Sequence, residues 1–189
     1  MDPTTLIFLA FILILSIFLG FEIISTDGTF KILEDGGIRS VKHVSEITDF
    51  PEILEGRVKT EHPKLIGGIL ALRDNKEHMK DIEMFGIVPI DLVICNFYPF
   101  EKVTEQGADI KTALESIDIG GPNMIRAAAK NFKNVVVVTK PHRYDQVLIE
   151  YNKNGDVSLE TRKALAVEAF KETARYDCAI SRFLEETSQ

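Results

Sequence analysis

Basic charge is in short supply in this chain: 22 lysines and arginines stand against 29 aspartates and glutamates, a formal net charge of −7 over 189 residues. A nucleic-acid-binding domain announces itself by a basic excess, so the balance argues against that class. It does not argue against a small anionic ligand, because local cations decide that. Cysteine is scarce too. Cys95 and Cys178 make no Cys-x-x-Cys pair and no metal pattern, and they are expected to be reduced, buried thiols in a cytoplasmic protein. The four histidines, His43, His62, His78 and His142, are scattered without ligand spacing. Internal repeats and low-complexity linkers are absent, and no lysine precedes Lys31.

What is present is enough for one domain with a sizeable core. Short apolar runs alternate with amphipathic stretches. Phe21 to Ser25, Ile38 to Val44, part of Lys64 to Ala71, Ile90 to Phe97 and Val135 to Val138 read as strands. Thr29 to Asp35, Asn75 to Phe85, Met124 to Asn131, Arg143 to Tyr151 and Ser158 to Leu184 read as helices, the last with a break expected near Tyr176. Ile110 to Ile117 reads as helix or turn. The near-continuous apolarity of Ile90 to Phe97 is what a buried parallel strand requires. Alternation of this kind points to an α/β fold with a doubly wound, mostly parallel sheet.

Two blocks carry the chemistry. In Gly56-Arg57-Val58-Lys59-Thr60, the glycine permits a tight turn whose N–H groups can face a ligand. Arg57 supplies a planar fork and Lys59 a compact point charge. In Asp118-Ile119-Gly120-Gly121-Pro122, the glycines and proline read as a turn entering a helix. The first N–H groups of such a helix lack partners and suit an anion. Arg126 and Lys130, four apart, share one helix face. Each block also has a plainer reading, as a solvated basic loop and as a capped surface helix with a basic face. His62 flanks the first block and is expected to orient that loop.

These blocks, together with Gly20-Phe21-Glu22-Ile23-Ile24-Ser25-Thr26, Phe50-Pro51-Glu52-Ile53-Leu54, Gly67-Gly68-Ile69-Leu70-Ala71, Asn96-Phe97-Tyr98-Pro99-Phe100 and Tyr176-Asp177, stand in one order from Gly20 to Leu184. In that order and spacing the chain resembles the inosine monophosphate (IMP) cyclohydrolase domain of the bifunctional purine-biosynthesis protein. The resemblance implies a methylglyoxal-synthase-like fold. It implies dehydrative ring closure of the formamidoimidazole carboxamide ribonucleotide to IMP, with no cofactor or metal. It divides the chain into an atypical segment, 1–19, and a cyclohydrolase-like domain, 20–189. The transformylase domain of the bifunctional protein is absent from these residues, and dimerisation is a family-level expectation.

In that reaction the carboxamide nitrogen attacks the formyl carbon of the same molecule, so a reactive conformer must be held. Negative charge develops on the formyl oxygen, where a fixed cation helps most. The resemblance carries Lys59 and Lys130 over as that cation and Asp118 and Tyr98 as proton handlers; for Tyr98, simple packing is the alternative. It places Ser25, Thr26, Thr29, Arg57 and Thr60 on the phosphate or ribose and Asn96 on the base or backbone. Gly28, Val58, Ile119, Gly120, Gly121 and Arg126 complete the expected substrate contacts.

The departures lie at the N-terminus and near the phosphate. Where the family has a strand and a Ser-x-x-Asp-Lys-Thr-Gly loop, this chain has Thr5, Leu6, Ile7 and Phe8, then an apolar run to Leu19. That run, Leu6 to Leu19, is 14 residues or about 21 Å as a helix, and falls short of the roughly 20 residues of a typical span. It lacks the basic flank of a signal peptide. A wrong gene start, a membrane anchor and a divergent buried helix all account for it. Asp27 stands where the family has glycine, Glu61 where it has an apolar residue, and Ile66 where histidine is common. The two acids bring negative charge toward the expected phosphate. A non-catalytic purine-nucleotide-binding domain, tethered to a membrane if the apolar segment is an anchor, is therefore the competing expectation. A different methylglyoxal-synthase-like enzyme is a third.

Overall fold

The computed structural model describes residues 3–187; Met1, Asp2, Ser188 and Gln189 lie outside the described residues. The chain opens with α1 (Pro3–Leu13), which widens into a π-helical turn, Ile14–Phe18. There follow β1 (Ile23–Ser25), α2 (Asp27–Asp35), β2 (Val41–His43), α3 (Val44–Thr48), α4 (Pro63–Leu70) and α5 (Lys76–Met84). Then come β3 (Leu92–Ile94), α6 (Phe100–Glu105), α7 (Ile110–Glu115), α8 (Gly120–Lys130), β4 (Val136–Val138), α9 (Tyr144–Asn154) and α10 (Leu159–Glu186).

The architecture is the expected α/β fold with parallel strands. Among the described residues the strands form two parallel pairs. β1 pairs with β2 in the register Ile23 to Val41 and Ser25 to His43. β3 pairs with β4 in the register Leu92 to Val136 and Ile94 to Val138. Parallel pairing puts all four carboxyl ends on matching sides within each pair, and such ends are where open α/β sheets bind ligands. Ser25, His43 and Cys95 stand at three of them.

β4 is the centre of the core. Val136, Val137 and Val138 are each 0 % exposed, because α8 and α10 pack across them. α8 contributes Ile125, Ala127, Ala128 and Ala129, and the small alanines allow α10 to approach with Leu165, Ala166 and Ala169. A second cluster of Phe100, Ala113 and Tyr176 seals the far end of α10.

Several local expectations change in three dimensions. The Lys64 to Ala71 run is helix, not strand: His62 caps it by accepting the Lys64 N–H (3.2 Å), and Pro63 opens it. A short apolar run suits a buried helix as well as a strand. Gly68 is required there, since a Cβ would stand 2.3 Å from the Val88 carbonyl oxygen. β3 is shorter and less buried than the Ile90 to Phe97 run suggests. α6 was not expected from the sequence. α10 runs unbroken through Tyr176, whose ring is buried in the second cluster. Both cysteines are free thiols as expected, but neither is fully buried: Cys95 is half-buried and Cys178 is exposed.

The apolar N-terminal segment packs against the domain. Phe11, Ile12 and Leu15 enter the main core, and the Phe11 ring stacks on Tyr144 with centroids 4.2 Å apart and planes 5° from parallel. The Gly36 turn closes under Leu9. Leu6, Ile7, Ile17 and Phe18 remain exposed on the other side. Among the described residues no helix is long and apolar enough to cross a membrane. The packing matches the buried-helix account of this segment and gives the anchor account no support.

Candidate functional site

The first block forms a tight loop. Ile53 and Val58 bridge in antiparallel fashion, while Leu54, Glu55 and Gly56 hold φ of 53°, 57° and 84°. Three successive left-handed residues reverse the chain, and only the glycine adopts that conformation without strain. The reversal aims Lys59 inward, where its ammonium lies 3.4 Å from the Glu52 carboxylate. Thr60 follows, buried at the mouth of α4.

The second block begins α8. Asp118 Oδ1 accepts the Gly121 N–H at 2.8 Å, capping a helix whose formal N-cap, Ile119, offers no side-chain acceptor. Tyr176 fixes the turn from behind: its hydroxyl accepts the Asp118 backbone N–H (2.9 Å) and donates to the Ser116 carbonyl (3.4 Å). Cys95 lies under Gly121, where a Cβ would meet its sulfur at 2.8 Å.

Gly120 joins the blocks. A Cβ there would stand 2.3 Å from Thr60 Oγ1 and 2.9 Å from Glu61 Oε1. The glycine therefore lets the helix start touch the Gly56 loop, 60 residues away in the chain. Glu61 occupies the junction, accepting N–H bonds from Lys59 and Thr60 (both 3.2 Å) and the Thr60 hydroxyl (3.3 Å). A carboxylate in a nest of backbone N–H groups marks the place as an anion cradle.

Beside it opens a cavity of about 720 Å³. Ser25, Thr26 and Thr29 line one side, Thr60, Cys95 and Asn96 another, and α1 closes it with Phe8. Asn96 donates to the Tyr144 hydroxyl at 3.4 Å. Gly28 lies in the first turn of α2, at the edge of this loop.

The expected site residues divide into two groups. Lys59, Thr60, Asp118, Gly120 and Gly121 converge, with Ser25, Thr26, Thr29 and Asn96 around the adjoining cavity. Tyr98 reaches this centre by its backbone, which donates to Asp118, while its side chain is exposed. The others point elsewhere. Arg57 pairs with Glu115, Val58 serves the loop bridge, and Ile119 is exposed. Arg126 and Lys130 line a separate groove of about 610 Å³ with Phe132 and Phe170. Lys130 is ten residues along α8 from Gly120, about 15 Å at 1.5 Å per residue.

Three contributors were not foreseen. Tyr176 was noticed only as part of a matching run, yet it anchors Asp118. Glu52 and His43 reach the site from the 50s loop and the end of β2. His43 Nε2 lies 2.7 Å from Asp27 Oδ1 and 3.6 Å from Glu52 Oε1. No spacing in the sequence pairs these three.

The electrostatics follow from enclosure. Burial raises the Asp118 carboxyl above its ordinary range and Glu61 adds to the rise, while the Gly121 and Tyr98 N–H groups and Lys59 oppose it. Burial also raises Glu52, with Asp27 adding; Asp27 is lowered by the Glu52 carboxyl beside it, then by His43 and Lys59. Burial, with Asp118 nearby, pushes the Cys95 thiol up to about 12, so it is no nucleophile.

A raised folded-state pKa gives Asp118 a defined pH signature. Its protonated form favours the fold, fully so below the unfolded value of 3.8, and that contribution disappears as pH climbs through the raised value. Asp118→Asn keeps an acceptor for Gly121 and removes the charge. Thermal melts should place this variant above the parent at pH 7, with the difference closing toward pH 4. An equal offset at both pH values would contradict the burial account.

The fold and this centre define a parallel α/β domain with a polar cavity at strand ends beside a helix N-terminus. The model of the MGS-like domain matches residues 15–123, and that described as AICARFT/IMPCHase bienzyme matches residues 128–189. The chain belongs to the MGS-like domain family. It is similar to the bifunctional purine biosynthesis protein PurH of Persephonella marina, 54 % identical over 168 residues, covering 89 % of this chain and 32 % of that protein. PurH of Clostridium acetobutylicum is 54 % identical over 167 residues, covering 88 % and 33 %. The chain thus spans about a third of the length of these curated relatives. Among solved structures, one described as the crystal structure of ForH aligns with a TM-score of 0.74 at 32 % identity, covering 95 % of this chain and 90 % of that one.

Proposed function

We propose that this chain is an IMP cyclohydrolase, closing the second ring of 5-formamidoimidazole-4-carboxamide ribonucleotide with loss of water in purine synthesis. The observation that carries the reading is the meeting of the two blocks through Thr60 and Gly120, beside a hydroxyl-lined cavity. The relatives named above support it at the level of their printed description as bifunctional purine-biosynthesis proteins.

In this reading Ser25, Thr26 and Thr29 hold the phosphate or ribose, and the cavity keeps the formamide and carboxamide groups in contact. Lys59 stabilises the oxygen of the formyl group as the carboxamide nitrogen adds to its carbon. Asp118 takes the attacking nitrogen's proton and passes it to the oxygen, giving a ring-carbon hydroxyl; it then takes the former formamide nitrogen's proton and delivers it to that hydroxyl, which leaves as water as the ring C=N forms. Arg126 and Lys130 stand outside this centre, so the electrophilic role falls to Lys59. The partner is the purine ribonucleotide, the proposed compartment is the cytoplasm, and a homodimer remains the family-level expectation.

The test is direct. Purified protein mixed with the formamido ribonucleotide should produce IMP, followed by its ultraviolet absorbance. IMP binding without ring closure by a folded protein would reject the enzyme and leave a nucleotide-binding domain.

A further inference from the structure

We propose that Asp27, His43 and Glu52 form a binding site for one divalent transition-metal ion of the zinc type, at the carboxyl ends of β1 and β2. The three residues come from different elements: the first position of α2, the last of β2, and the loop that leads to the Gly56 turn. One donor atom of each, Asp27 Oδ1, His43 Nε2 and Glu52 Oε1, falls within 4.8 Å of the other two. The His43 nitrogen is 2.7 Å from Asp27 and 3.6 Å from Glu52. Zinc bonds of about 2.0–2.2 Å in tetrahedral array need donors roughly 3.3–3.6 Å apart. The observed separations bracket that value, so small side-chain rotations suffice.

The second observation is Glu52 Oε1 itself. Among the described residues it has no hydrogen-bond partner, and the Glu52 side chain is only 13 % exposed. A buried carboxylate oxygen without a donor is costly. Its sister oxygen is taken by Lys59 at 3.4 Å, leaving Oε1 aimed at His43 and Asp27. A cation between the three would satisfy it.

The surroundings suit a metal. His43 Nδ1 accepts the Ser45 N–H at 3.3 Å and lies 2.8 Å from Ser45 Oγ, while Nε2 is hydrogen-bonded to Asp27 at 2.7 Å; a metal at Nε2 would displace that bond and shift the ring proton to Nδ1, where Ser45 Oγ can accept it. The Phe30 edge meets the imidazole at 5.3 Å and 88°, which fixes the ring plane. Asp27 is exposed and gives an entry path. One imidazole and two carboxylates suit zinc or manganese better than the soft ions that prefer thiolates. Three protein ligands would leave a position open to water or an anion, and a bound cation would offset the Asp27 charge.

The proposal does not depend on the ring-closure reading, and its test reads binding alone. The full chain, stripped with a chelator, is titrated with zinc chloride by calorimetry and then competed with a chromogenic zinc chelator. A single equivalent should bind. Asp27→Asn and His43→Gln should each weaken binding by about tenfold or more, and His142→Gln should not. Asp27 is exposed and its amide replacement keeps the shape, so circular dichroism of that variant should match the parent. Manganese, titrated by its paramagnetic resonance signal, should show the same dependence on Asp27. Absence of a zinc equivalent in the parent, or Asp27→Asn binding as tightly as the parent, overturns the proposal.

Discussion

Lys59→Ala is expected to lower kcat for ring closure by about 10²–10³, the usual loss when one donor to a developing oxyanion is removed. The argument rests on placement. Lys59 follows a glycine-dependent reversal, lies against the Thr60 and Gly120 junction, and is only a quarter exposed, with a side-chain accessibility of 25 %. Its charge also reaches Asp118, lowering that carboxyl's pKa against the rise from burial. A cation that acts on the reacting oxygen affects kcat, whereas one that merely holds the phosphate affects KM. Steady-state kinetics separate the two. A variant whose kcat matches the parent and whose KM alone rises would move Lys59 from the reacting centre to the phosphate. Lys59→Arg should recover little, since a guanidinium fork does not reproduce a compact ammonium at the same point.

Phe11→Ala is expected to cost about 3–5 kcal/mol of unfolding free energy, as for other large-to-small changes in a packed core. Phe11 is 2 % exposed and stacks on Tyr144, itself 1 % exposed. Truncation would open a cavity between α1 and α9. Urea denaturation gives the value from the midpoint, provided the slope is unchanged. Phe18→Ala is the internal comparison: that ring is 76 % exposed and its loss should stay within about 0.5 kcal/mol. A Phe11 loss as small as that of Phe18 would mean that the N-terminal segment does not belong to the core. The contrast also bears on the segment's apolarity. Its sequence is apolar on every side, but packing recruits only the side bearing Phe11, Ile12 and Leu15.

Much of the local structure is legible in the residues. Asn75 accepts the Glu77 N–H and Ser158 the Thr161 N–H, so two helix starts sit where capping chemistry puts them. The four-valine run becomes the buried strand that its composition demands. Asp118-Ile119-Gly120-Gly121-Pro122 becomes a helix entrance, although the helix starts at Gly120 rather than Met124. Apolarity alone reads part of the Lys64 to Ala71 run as a strand, but the His62 cap and Pro63 make it a helix.

The candidate centre divides the same way. The residues themselves determined the fold class, the two glycine-bearing blocks, the candidacy of Lys59 and Asp118, and the resemblance to a purine-synthesis domain, because turn chemistry, hydrophobic period and motif spacing are local properties of a chain. Tertiary structure alone decided that Gly120 touches Thr60, that Tyr176 holds Asp118, and that Arg126 and Lys130 face a different groove. It also decided that Asp27, His43 and Glu52 meet. Those contacts join residues 9 to 60 positions apart through a parallel sheet and its crossovers, and no local pattern encodes a distance that only packing sets.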